Sequence, residues 1–250
     1  MIATLSRPAS AGKLETETAD DFVTTTGTLI TGATFTGLLV GGATPANVAN
    51  VSVELYHVFS LDSVSPPSGH VPTRANSPSD NSFAAADGAV GQLTFTTTVL
   101  NPAFTAANSV VSGINPIPNQ FTSGEGAVTG QEVQFNVTFV TPFSLGPDHV
   151  FFRPEVDLGR AGDFLWLSAP KPIVAPGTPF ATDLQSWIRN DGASGIGPDW
   201  GRIGTDITHQ GPFNASFSLV GAVVPEPASL GLLGAGLAGL AVVRRRRARH

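Results

Sequence analysis

The chain of 250 residues has no cysteine, one methionine and one tyrosine. Without cysteine there is no disulfide scaffold, thiolate zinc site, iron–sulfur cluster or cysteine nucleophile. Charge is scarce as well. Asp, Glu, Lys and Arg make up 13% of residues, against roughly 25% in an ordinary soluble domain. The sequence contains no Gly-x-Ser-x-Gly, no His-Glu-x-x-His and no glycine-rich phosphate loop, so the common signatures of hydrolases, zincins and nucleotide enzymes are missing. His57, His70, His149 and His209 stand far apart, and no EF-hand pattern occurs. The expectation is a non-enzymatic protein with no catalytic residues, no metal and no cofactor.

Glycine and proline are plentiful, at 28 and 20, and 41% of residues are hydrophobic. That combination predicts a real core threaded by many turns. The net charge of −6 divides unevenly. Residues 1–224 carry 8 basic and 18 acidic side chains, net −10, while residues 225–250 carry five Arg and one Glu, net +4. An acidic body offers no Lys/Arg face to phosphates, which argues against nucleic acid as a partner.

Period-two alternation recurs along the body and predicts strands. The segments are Thr28 to Leu39, Asn50 to Ser60, Gln92 to Leu100, Glu132 to Thr141, Val150 to Leu158, Asp163 to Ser168 and Phe213 to Val220. Short strands separated by Gly, Pro, Asn and Asp turns predict an all-β, antiparallel β-sandwich, jelly-roll-like, over residues 27–221. One short helix is expected at Thr182 to Arg189, where Leu184, Trp187 and Ile188 share a helical face. Asp62 to Asn81 and Asn101 to Val128 are expected to be long loops. Residues 1–26 are expected to be an N-terminal lead-in, with acidic, Thr-rich Glu15 to Thr26 flexible. Ala9-Ser10-Ala11 has the small-x-small form of a signal-peptidase site, so the lead-in is expected to be the remnant of a longer export signal.

Residues 222–250 read differently. Val224-Pro225-Glu226-Pro227 is followed by Ala228 to Val243, which has no charge and one polar residue, Ser229. Arg244, Arg245, Arg246, Arg247 and Arg249 come next. A helix over 228–243 would be roughly 24 Å long, short of a hydrocarbon core of roughly 30 Å. Snorkelling arginines and local thinning close that gap. A single C-terminal transmembrane helix is therefore expected. Positive-inside orientation puts the Arg tail in the cytoplasm and the body outside.

Pro-Glu-Pro, a short apolar helix and an Arg cluster, in that order at the terminus, resemble the PEP-CTERM sorting signal. The resemblance implies recognition by exosortase, a membrane-embedded protease of Gram-negative bacteria that make exopolysaccharide. It further implies an inner-membrane-anchored precursor whose body ends at the cell surface or is secreted. Pro225, Glu226 and Pro227 would then be the recognition residues, and Arg244, Arg245, Arg246 and Arg247 would fix orientation in the membrane. The body resembles the uncharacterised extracytoplasmic β-rich domains that precede such signals, which carries no activity with it. The expected role is an exported surface or matrix protein associated with exopolysaccharide.

Two alternatives remain open. Trp200, in the turn Gly197-Pro198-Asp199-Trp200-Gly201, is the candidate ligand contact of a carbohydrate-binding module. Trp166, Trp187 and His57 read as core. An extracellular hydrolase would use a carboxylate pair such as Glu155 and Asp157, and Asp148, Asp157 and Asp163 are the acidic residues placed for Ca²⁺. Turn carboxylates in solvent explain these acidic residues more simply. The Thr-rich stretches Thr24–Thr26 and Thr94 to Thr98 belong to no regular repeat.

Overall fold

The structure is a computed structural model that describes residues 1–64, 66–118, 120, 122–169, 185–190, 196 and 198–224. Among these residues the chain forms thirteen strands. They are β1 (Ile2–Leu5), β2 (Thr16–Thr24), β3 (Thr28–Val40), β4 (Asn50–Val58), β5 (Pro78–Asp87), β6 (Leu93–Ala106) and β7 (Asn108–Val110), followed by β8 (Val128–Leu145), β9 (Asp148–Asp157), β10 (Asp163–Leu167), β11 (Trp187–Asn190), β12 (Gly201–Arg202) and β13 (Phe217–Val223).

Two sheets hold them. The first runs β6-β8-β3-β10-β1-β7, with β13 also paired to β3. The second runs β12-β11-β2-β9-β4-β5. The all-β architecture in two sheets agrees with the period-two pattern. One pairing departs from an antiparallel fold: β1 and β7 run parallel.

The main core lies between the sheets. From the first sheet, Phe35 on β3 stacks on Phe135 of β8 with centroids 5.0 Å apart, and Phe164 on β10 meets both rings edge-on. From the second sheet, Phe152 on β9 meets Trp166 edge-on and stacks on Phe217 at 5.1 Å. Val51, Val53 and Leu55 on β4 complete this layer. Offset and edge-on arrangements suit the quadrupoles of the rings.

Phe164-Leu165-Trp166-Leu167 is buried on both faces, which explains its lack of alternation. Phe164 and Trp166 point into the main core. Leu165 and Leu167 pack on the opposite face with Ala3, Leu5, Leu38 and Ala106.

Three expectations need correction. The helix expected at Thr182 to Arg189 is not one where it is described. Trp187–Asn190 is strand β11, paired antiparallel with Asn190 opposite Thr16 and Trp187 opposite Ala19. Pairing with a strand about 170 positions away overrides the local helical spacing. Residues 182–184 lie outside the described residues.

The lead-in is not flexible coil. β1 sits between β10 and β7, and β2 sits between β11 and β9 with its first six residues buried. Its acidic residues are tolerated because partners meet them inside: Glu17 reaches Arg189 at 2.9 Å and Asp21 reaches His149 at 2.5 Å. Ala9–Ala11 is a 3₁₀ turn ending on left-handed Gly12 (φ 70°), between these two strands.

The long loops are shorter than expected. β5 takes up Pro78–Asn81, β6 extends through Ala106, and β7 follows at Asn108–Val110.

Candidate functional site

Pro225, Glu226, Pro227, the helix expected over 228–243, and Arg244 to Arg247 lie outside the described residues. The structure does describe the element that delivers the chain to them. β13 pairs antiparallel with β3, from Phe217 opposite Phe35 to Val223 opposite Thr28, with a register shift between Val220 and Gly221. Phe217 anchors the strand in the core through Phe152 and Trp166. Leu219 also packs against the core, and Val220 to Val224 are all exposed. The Val224 N–H donates to the Gly27 carbonyl at 2.8 Å, which holds the chain to the sheet up to that residue. Among the described residues β13 pairs only with β3, so Pro225 follows directly from an open sheet edge.

Trp200 is not the surface platform expected from its turn. It is 0% exposed, and its indole N–H donates to the Ser79 carbonyl at 3.1 Å. Tyr56 lies edge-on to it, and the Arg189 guanidinium sits 4.6 Å from its ring centroid. The turn folds down over the outer face of the second sheet, against Ala19, Tyr56, Phe151 and Trp187. Small polar turn residues around an indole signal a turn, and they do not say which way the indole points.

That face carries a buried charge cluster the sequence did not suggest. Arg153 on β9 reaches Glu54 on β4 at 2.7 Å, Glu17 on β2 at 3.4 Å, and Glu155 on its own strand. The Tyr56 hydroxyl donates to Glu54 at 2.5 Å and accepts from Arg189 at 3.2 Å. Alternation places these residues on one face of four adjacent strands, β11, β2, β9 and β4. Burial raises Glu155 to about 8, against the pull of Arg153. Burial likewise holds the Tyr56 phenol well above its ordinary range. Glu54 goes the other way: despite partial burial, Arg153 and the Tyr56 hydroxyl lower it. Glu155 is only 3% exposed, so its carboxyl is enclosed within the cluster, while Glu54 at its margin stays partly exposed.

The remaining acidic candidates are dispersed. Asp163 binds Arg7 at 2.9 Å and Lys13 at 3.0 Å. Asp157 accepts from Ser10 at 2.7 Å and from the Gly159 N–H, closing a turn. Asp148 faces His57 at 3.3 Å. They sit in three separate settings, and among the described residues no group of three His, Asp or Glu converges as metal ligands. Trp166 and Trp187 are in the core. His57 is at its rim, stacked on Phe83 at 4.0 Å.

Thr94 to Thr98 gain an order that their sequence lacks. On the solvent face of the first sheet, Thr94, Thr96 and Thr98 of β6 lie opposite Thr138, Asn136 and Gln134 of β8. Those lie opposite Gly32, Thr34 and Thr36 of β3. Thr34 donates to Asn136 at 3.2 Å. Eight side chains, with Gly32 at the ninth position, thus form a hydroxyl and amide array without a charge. Cross-strand register supplies the repeat, so no period along the chain announces it.

A model of the PEP-CTERM protein-sorting motif matches residues 223–247. The match begins on the last residue of β13 and covers the Pro-Glu-Pro triplet, the apolar stretch and Arg244 to Arg247. No curated protein and no solved structure matches the chain.

Proposed function

We propose that the chain is the precursor of an exported, non-enzymatic surface or matrix protein, which exosortase recognises at Pro225-Glu226-Pro227 and cleaves from its C-terminal membrane anchor. The PEP-CTERM motif at residues 223–247 carries this reading. Its placement supports it. β13 holds the chain through Val224 and exposes its last residues, which directly precede the triplet in sequence. The apolar stretch 228–243 serves as the transmembrane anchor, and Arg244 to Arg247 hold the tail in the cytoplasm by the positive-inside rule. The body then lies outside the inner membrane and, after cleavage, at the cell surface or in the medium.

Replacing Pro225, Glu226 and Pro227 with alanine in the native host tests this. The substituted chain is expected to retain the mass of its C-terminal segment, and unchanged removal of that segment would refute recognition through the triplet.

A second reading has one observation in its favour. The uncharged Thr/Asn/Gln array on the first sheet suits a neutral polysaccharide, whose hydroxyls need donors and acceptors but no counter-charge. This keeps the exopolysaccharide association open on a different surface from Trp200. Thr138→Lys should abolish retention on a neutral polysaccharide column; retention equal to the parent's removes the reading.

A further inference from the structure

β6 is a long edge strand, and natural proteins usually guard such edges with lysine, proline or bulges. Here the guards sit only in its second half. Pro102 and two register shifts, between Val99 and Asn101 and between Asn101 and Phe104, interrupt the strand after Val99. The first half, Leu93-Thr94-Phe95-Thr96-Thr97-Thr98-Val99, pairs with β8 without a shift. All seven residues lack charge and five are β-branched, which favours extended pairing. Among the described residues nothing pairs with the other edge of β6.

We propose that this edge pairs with the same edge of a second copy of the chain. The two strands would run antiparallel around a two-fold axis through Thr96. The sequence is complementary to itself in that register. Thr96 meets Thr96 of the second copy, Thr94 meets Thr98, Phe95 meets Thr97 and Leu93 meets Val99. These are Thr–Thr, aromatic–β-branched and apolar pairs, the combinations that stabilise antiparallel neighbours. A two-fold contact requires such self-complementarity, because one patch must serve both sides. Electrostatics points to the same occupant. Residues 1–224 carry net −10, so most faces of two copies repel. The Leu93–Val99 edge brings them together with no charge at the contact; in register, the first charged neighbour is Glu132 of β8, opposite Asn101. Val99 (44% exposed) and Leu100 (50% exposed) lie at the edge that pairing would cover.

The absence of cysteine makes the test clean. In the full chain held in mild detergent, Thr96→Cys places two thiols across the axis, with Cα atoms roughly 4.5–5.5 Å apart, within disulfide reach. Oxidation should give a covalent dimer on a non-reducing gel. Thr138→Cys is exposed on the same face one strand further in, about three strand spacings from its mate, and should stay monomeric. Thr94→Cys alone should fail, while the double variant Thr94→Cys/Thr98→Cys should cross-link and so fix the register. Thr96→Lys, which sets two like charges face to face, should weaken dimerisation at least tenfold in sedimentation while circular dichroism stays unchanged. A monomeric Thr96→Cys, or equal cross-linking by Thr138→Cys, would overturn the proposal.

Discussion

Glu155 and Trp200 carry the residue-scale consequences. Glu155 ordinarily titrates at 4.5 and is raised to about 8 by burial in the fold. The folded state therefore holds a proton that the unfolded chain has released across that window. Its stabilising effect is complete below 4.5 and is lost as pH rises through about 8, with a slope of at most about 1.4 kcal/mol per pH unit. Glu155→Gln, which keeps the shape of the protonated acid, should flatten this part of the stability curve in thermal melts. Parallel curves for the two proteins would mean that Glu155 is ionised throughout. Trp200→Ala should cost about 3–5 kcal/mol in denaturant unfolding, as for a fully buried aromatic. A surface Trp would cost within about 0.5 kcal/mol. Neither role was legible beforehand, because the partners of these residues come from β2, β4, β9 and β11, far apart in sequence. Trp166 was legible as core because it stands inside an uninterrupted apolar run, whereas His57, read as core from the alternation of β4, lies half-buried at its rim.

At the scale of elements, close approach of β3 and β10 depends on Gly37. A Cβ there would press on the Phe164 ring and sit 2.6 Å from the Leu165 carbonyl oxygen. Gly37→Ala should therefore destabilise by about 1–3 kcal/mol or more through overpacking, measured by chemical unfolding. A neutral substitution would show that β10 can shift outward. Strands with clean alternation, such as β4, β6 and β8, were readable, because one face is apolar and the other polar. β2 was not. Its Thr-Glu-Thr-Ala-Asp-Asp run looks like solvated chain until Arg153, Arg189, His149 and Ser186 arrive from distant strands. Asp20 shows the consequence. Burial, reinforced by Asp21, holds its carboxyl well above the usual range, while Ser186 donates to it at 2.9 Å. β11 misled in the opposite direction, since Leu184, Trp187 and Ile188 fall at helical spacing while the strand partner lies at Thr16 to Ala19.

At the scale of the whole molecule, the partition of charge matches the partition of roles. An acidic body of net −10 precedes a basic tail of net +4, and the sorting motif begins at their junction. The sorting motif in the tail was legible, because its information is a linear order of triplet, apolar run and arginines that needs no tertiary partner. The body's function was less so, since its exposed uncharged array and its open β6 edge exist only through pairing. The central claim is that the triplet directs removal of the C-terminal segment. It is tested most directly by the intact mass of the body recovered from an exosortase-containing host and from the same host lacking exosortase. The body from the first should lack the Arg244–Arg247 tail and the apolar stretch, and the body from the second should keep both. Identical masses from the two hosts would contradict the account.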